Sequence, residues 1–211
     1  MKKIFDDVSQ DCSKIITKKY STSFSLGISL LDKKLHNPIY SIYGFVRLAD
    51  EIVDSFHDHN KKELLEKYRN DTKQAINEKI SLNPVLNSFQ NVVNKYNIDW
   101  KFIEQFLNSM QHDINNTKHN ESSYKEYIAG SAEAVGLMCL KVFCNNQNDL
   151  FNNLENYAKI LGSVFQKVNF IRDMNADYNQ LQRVYFPNLD INKFNEQEKL
   201  KIELEIENEF R

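Results

Sequence analysis

Asn169, Asp173 and Asp177 stand four residues apart in Val168-Asn169-Phe170-Ile171-Arg172-Asp173-Met174-Asn175-Ala176-Asp177. That spacing has a use only on an α-helix, where it stacks the three side chains along one face. The neighbours Val164, Phe165, Val168, Phe170, Ile171 and Met174 are apolar rather than lysine-rich, so the row does not read as a solvated acidic face. Carboxylates crowded in apolar company repel one another and are costly to desolvate, which calls for a cation beside them.

A second row repeats the pattern. Tyr43, Arg47, Asp50 and Asp54 form one stripe in an otherwise apolar stretch from Ile42 to Asp54. Two such helices facing across a cleft make an oxygen-lined site for a hard cation, Mg²⁺ with Mn²⁺ as its substitute. Mg²⁺ shares its open positions with phosphate oxygens, so the pair of rows suggests a diphosphate substrate.

The rest of the chain reads as helix almost throughout. Gly and Pro number only 5 and 3, and no alternating strand pattern stands out. Helices are expected over Phe5–Lys19, from Asn37-Pro38 to about Ser55–His59, and from Asn60, where Glu63 completes a capping box. Others should start at Asn83-Pro84, at Asp99, at Ser122 or Ser123, near Asp149 and at Asn195. Tyr20 to Phe24 reads as a polar break before a short apolar segment. The architecture is a single all-α bundle over residues 1–211, long enough for one sizeable core.

Charge and cysteines exclude several classes. The balance of 27 basic and 29 acidic residues gives a net charge of −2, which argues against a nucleic-acid partner. Cys12, Cys139 and Cys144 lack metal spacing and are odd in number, as expected of reduced thiols in a cytoplasmic protein. Met1 to Asp11 has no apolar signal region, and the longest apolar run, Val135 to Cys144, is interrupted by Lys141. No Gly-x-Gly-x-x-Gly follows a strand, so no nicotinamide nucleotide is expected. Asp54 with His57 has the i, i+3 spacing of a carboxylate-bridged metal bundle, one rival reading. A non-catalytic helical interaction module is another.

The blocks Ser21-Thr22-Ser23-Phe24, Tyr43 to Asp54, Tyr127-Ile128-Ala129-Gly130 with Val135-Gly136-Leu137-Met138, and Leu161 to Pro187 resemble the squalene/phytoene synthase family. The resemblance is nearest to the bacterial phytoene synthases. It implies an isoprenoid synthase bundle with a central cleft between two Asp-rich helices. It assigns metal binding to Asp50, Asp54, Asn169, Asp173 and Asp177. Tyr43, Arg47, Asp50, Asp54, Asp173 and Asp177 would carry catalysis. Diphosphate contacts would fall on Ser21, Ser23, Tyr43, Arg47, Arg172, Arg183 and Tyr185, and a prenyl channel on Phe24, Tyr127, Val135, Gly162, Phe165 and Gln166.

The implied reaction joins two geranylgeranyl diphosphates head to head into phytoene, with dehydrosqualene or squalene from farnesyl diphosphate as the alternatives. It also implies a prenyl diphosphate partner and a peripheral position at the cytoplasmic face of a membrane that takes up the product. The chain departs from the family pattern twice. It reads Asp50-Glu51 where relatives often have two aspartates, and it ends at Arg211 where relatives continue into further helices.

Overall fold

A computed structural model describes residues 2–115 and 119–211. Among these residues ten α-helices succeed one another: α1 (Lys2–Tyr20), α2 (Thr22–Ser29), α3 (Lys33–Asp54), α4 (Lys61–Glu78), α5 (Pro84–Tyr96), α6 (Trp100–Asn115), α7 (Glu121–Ile128), α8 (Ala134–Cys144), α9 (Asn148–Leu181) and α10 (Glu196–Phe210). A π-helical turn, Ala129–Glu133, joins α7 to α8, and a short 3₁₀ turn, Ile191–Lys193, precedes α10. No β-strand occurs among the described residues.

Local chemistry accounts for most of the boundaries. The side chains of Asn60, Asn83, Asp99 and Asn195 accept backbone N–H groups at the starts of α4, α5, α6 and α10, where the first turn has no internal acceptors. Three starts differ from the sequence expectation, the first being α1, which begins at Lys2 rather than Phe5. α3 begins five residues earlier, at Lys33, because Asp32 accepts from the Lys34 N–H at 3.0 Å. Pro38 therefore lies inside the helix rather than at its first position. α7 begins at Glu121, capped by Asn120, and Ser123 is the returning half of the capping box rather than the cap.

The main core lies where α3, α5, α6 and α8 meet. Phe45 of α3 stacks on Phe89 of α5 at 3.9 Å between ring centroids and packs against Phe106 of α6 and Tyr68 of α4. α1 docks on α3 and α5 through small polar residues instead of its apolar ones. Ser13 hydrogen-bonds Ser88 at 2.6 Å, Asn87 donates to Ser9, and Gly44 leaves room for the Ser13 side chain. Ile4, Val8 and Ile15 are left on the outside of α1.

Glu121 to Cys144 forms one helical rod of 24 residues, long and apolar enough to pass for a membrane span, which Val135 to Cys144 alone is not. The rod packs on α6 and α9, with α8 also against α3, and half of its apolar window is buried inside the protein. Glycines make that packing possible. A Cβ on Gly130 would stand 2.5 Å from the Gln105 carbonyl oxygen of α6, and one on Gly162 would stand 2.9 Å from the Ala132 carbonyl oxygen. The π turn is thus wedged between α6 and α9 at backbone-to-backbone distance.

Candidate active site

α3 supplies Tyr43, Arg47, Asp50 and Asp54, and α9 supplies Asn169, Asp173 and Asp177, with α8 packed against both helices. The residue that joins the two rows is Arg183. α9 ends at Gln182 in a left-handed conformation, φ 55°, and the Arg183 N–H caps the Asp177 carbonyl at 3.1 Å. This reversal turns the chain back into the cleft. The buried Arg183 guanidinium donates to Asp54 Oδ1 at 2.6 Å and to the Tyr185 hydroxyl at 3.4 Å, and lies 3.9 Å from Asp113 Oδ2.

The electrostatics are those of a site short of positive charge. Burial, reinforced by Asp54, pushes the Asp50 carboxyl up to about 7. Burial also pushes Asp177 up to about 6, with repulsion from Asp173 and then Asp54 adding to it. Asp54 of α3 thus adds to the rise at Asp177 of α9. Arg47 partly compensates on α3, donating to Asp50 and, at 2.9 Å, to Glu51, while its guanidinium lies 4.5 Å over the Tyr20 ring. Arg172 grips its neighbour Asp173 with two hydrogen bonds, at 2.8 and 2.5 Å. Among the described residues the buried Nε of Arg47 has no hydrogen-bond partner, which leaves one donor for an oxyanion.

Asp50, Asp54, Asn169, Asp173 and Asp177 are all oxygen donors, and burial together with neighbouring carboxylates raises two of them, Asp50 and Asp177. This set fits a hard divalent cation and offers nothing to a soft one.

The aromatic residues divide into two groups. Phe24 of α2 stacks on Tyr43 at 4.2 Å, so α2 flanks the first acidic row. Ser21, at its N-cap, accepts from the Phe24 N–H, and Ser23 is exposed. Tyr127, Phe170 and Tyr185 form a second buried cluster, with Phe170 and Tyr185 stacked at 4.1 Å and Tyr127 donating to Asp113 Oδ2 at 2.6 Å. The other expected channel residues differ in their surroundings. Val135 packs on the main core, Gly162 lies against the π turn, Gln166 is half-buried, and Phe165 is 62% exposed.

Sequence reasoning missed Asp113 and Tyr20. Asp113 continues the core stripe of Phe106 and Met110 at helical spacing, and a lone carboxylate on an apolar face was the signal available. Tyr20 had no comparable signal.

Residues 17–204 match the profile described as squalene/phytoene synthase. The chain belongs to that family. Within it, a 4,4'-diapophytoene synthase from Staphylococcus haemolyticus is 25% identical over 88% of this chain and 64% of its own. A phytoene synthase from Arthrospira platensis is 26% identical over 85% of this chain and 61% of its own. The chain thus spans less than two thirds of the length of these relatives. The crystal structure of a dehydrosqualene synthase superposes with a TM-score of 0.82 at 23% identity, covering 97% of this chain and 75% of that one, which establishes a common all-α fold.

Proposed function

We propose that the cleft between α3 and α9 catalyses the head-to-head condensation of two prenyl diphosphates. The observation that carries this reading is the convergence of both acidic rows, with Arg183 from beyond α9 on Asp54 of α3, in a chain of the squalene/phytoene synthase family. Asp50, Asp54, Asn169, Asp173 and Asp177 would hold Mg²⁺ or Mn²⁺, which when bound neutralises the charge of a departing diphosphate. Arg47, Arg172 and Arg183 are the donors available to diphosphate oxygens, with Arg47 Nε unengaged among the described residues. One substrate loses diphosphate, the double bond of the other attacks the allylic cation, and loss of a proton from the resulting cation closes a cyclopropyl diphosphate. A second loss of diphosphate, rearrangement and loss of a proton give the linear product. The faces of Phe24, Tyr43 and Tyr127 stabilise the cations, each by about 0.5–2 kcal/mol.

For the substrate, two geranylgeranyl diphosphates yielding phytoene is the primary reading, carried out at a cytoplasmic membrane surface without a reducing nucleotide. The similarity to a phytoene synthase supports it. Two farnesyl diphosphates yielding dehydrosqualene is the second reading, favoured by the similarity to a 4,4'-diapophytoene synthase.

Incubation with each diphosphate and Mg²⁺, with and without a nicotinamide nucleotide, followed by hydrocarbon extraction, separates the outcomes. Phytoene formed without nucleotide is expected; hydrocarbon that appears only with the nucleotide means squalene. Asp50→Asn and Asp173→Asn should each lower turnover by orders of magnitude with unchanged helical circular dichroism. Full activity in either variant or in excess chelator rules the metal-assisted reading out.

A further inference from the structure

Beside Arg183 lies a cluster of two histidines and an aspartate whose chemistry differs from that of the acidic rows. One ring nitrogen each from His112 and His119 and a carboxylate oxygen of Asp113 lie within 4.8 Å of one another. His112 and Asp113 are in the last turn of α6, and His119 stands just before the Asn120 cap of α7. The two imidazoles are stacked, 5.0 Å apart and 20° from parallel.

Asp113 is buried, with 7% of its surface exposed, and only one of its oxygens is engaged. Tyr127 donates to Oδ2 at 2.6 Å and Arg183 lies on the same oxygen. Among the described residues neither Oδ1 of Asp113 nor the buried Nδ1 of His119 has a hydrogen-bond partner. A buried carboxylate oxygen and a buried imidazole nitrogen without partners each cost stability unless a ligand engages them. Neutral imidazole is the form that ligates metals.

We propose that His112, Asp113 and His119 bind a divalent transition-metal ion, with zinc as its best occupant. The donor set is two nitrogens and one oxygen. It suits zinc and its borderline neighbours, whereas the all-oxygen rows on α3 and α9 suit Mg²⁺. The ligand spread of 4.8 Å closes to about 3.4 Å around a tetrahedral ion with bonds of about 2.1 Å, a change that side-chain rotation provides. Tyr127 holds the non-ligating oxygen of Asp113, the outer-shell support that ligating carboxylates require.

His119 also lines a cavity of about 400 Å³ with Tyr178, Val184, Phe186 and Leu189. The cavity provides an entry path and room for a solvent ligand in the fourth position. Because the ligands flank residues 116–118, a bound ion ties the end of α6 to the start of α7, and it should stabilise the fold by ordinary linkage.

The test is zinc titration of the whole chain in a large excess of Mg²⁺, read by isothermal calorimetry and by thermal melting. One zinc per chain should bind despite the Mg²⁺ and raise the melting temperature. His112→Ala and His119→Ala should each weaken that binding by about tenfold or more, while Asp50→Asn and Asp173→Asn leave it in place. Zinc X-ray absorption of the wild type, which needs no variant to fold, should show two imidazole ligands. Displacement of zinc by Mg²⁺, an all-oxygen shell, or undiminished affinity in both histidine variants overturns the proposal.

Discussion

Arg183 is the residue on which the cleft depends, since its single guanidinium faces Asp54, Asp113 and Tyr185. Removing one partner of a buried ion pair leaves the other charge uncompensated. Arg183→Ala should therefore cost about 3 kcal/mol in urea unfolding, within the range for such pairs. Arg183→Lys should recover part of the loss, because an ammonium keeps the charge but not the forked geometry. A loss under about 0.5 kcal/mol, the scale of an ordinary surface substitution, would mean the ion pairs contribute nothing net.

The raised carboxyls make a second prediction at this scale. Burial, first of all, pushes the Asp50 and Asp113 carboxyls up to about 7 and Asp177 up to about 6, from an ordinary carboxyl value of 3.8. A group raised on folding favours the folded state fully below its unfolded value, and that contribution is lost as pH rises through the folded value. In chelator, the melting temperature should therefore increase as pH is lowered from about 7 to about 5, the reverse of ordinary acid destabilisation. Excess Mg²⁺ at neutral pH should restore stability by favouring the ionised forms at the two rows. A flat profile in Asp50→Asn would assign the slope to Asp50.

At the level of elements, the packing that shapes the site is set by small residues. Gly130 lets the π turn approach α6, and its substitution places a Cβ 2.5 Å from backbone that cannot give way. Gly130→Ala should destabilise by about 1–3 kcal/mol, the range for overpacking. Gly27 sits within α2 with nothing near its absent Cβ, so Gly27→Ala should be neutral or stabilising by up to about 1 kcal/mol. Paired thermal melts check both, and equal effects would show that close approach is not the constraint. α1 illustrates the same rule from the other side. Its Ser9, Ser13 and Thr17 face inward because they fit against Gly44, Ser88 and Asn87, which leaves Ile4, Val8 and Ile15 outside.

Across the whole molecule, α9 carries an uncovered apolar stripe. Leu154, Tyr157, Leu161, Phe165 and Val168 recur at helical spacing and are exposed, and Leu200, Leu204 and Phe210 are exposed on α10. α10 covers only another side of α9, through Glu209 with Ser163 and Lys167. A contiguous apolar surface of this kind associates in water. The chain should show concentration-dependent self-association in light scattering, and Leu161→Lys with Phe165→Lys should shift it toward monomer. A monomer at all concentrations with no dye-accessible apolar surface would contradict this.

The sequence by itself determined the helices and the chemistry they carry. Carboxylates at i and i+4, asparagine caps and a scarcity of glycine and proline are local facts, and they identified both acidic helices and the all-α fold. Even the errors were local: Asp32 outcompeted Asn37 as the α3 cap, and Asn120 outcompeted Ser122 and Ser123. The tertiary structure alone decided what meets across the chain. Arg183 reaches Asp54, 129 residues away, only because Gln182 reverses the backbone and α8 holds α3 and α9 at the right separation. The same long-range assembly set Asp113 between Tyr127, Arg183 and two histidines, turned Gly162 toward backbone and left Phe165 exposed. Periodicity specifies which residues share a helix face, whereas the partner of that face depends on close packing between segments distant in sequence.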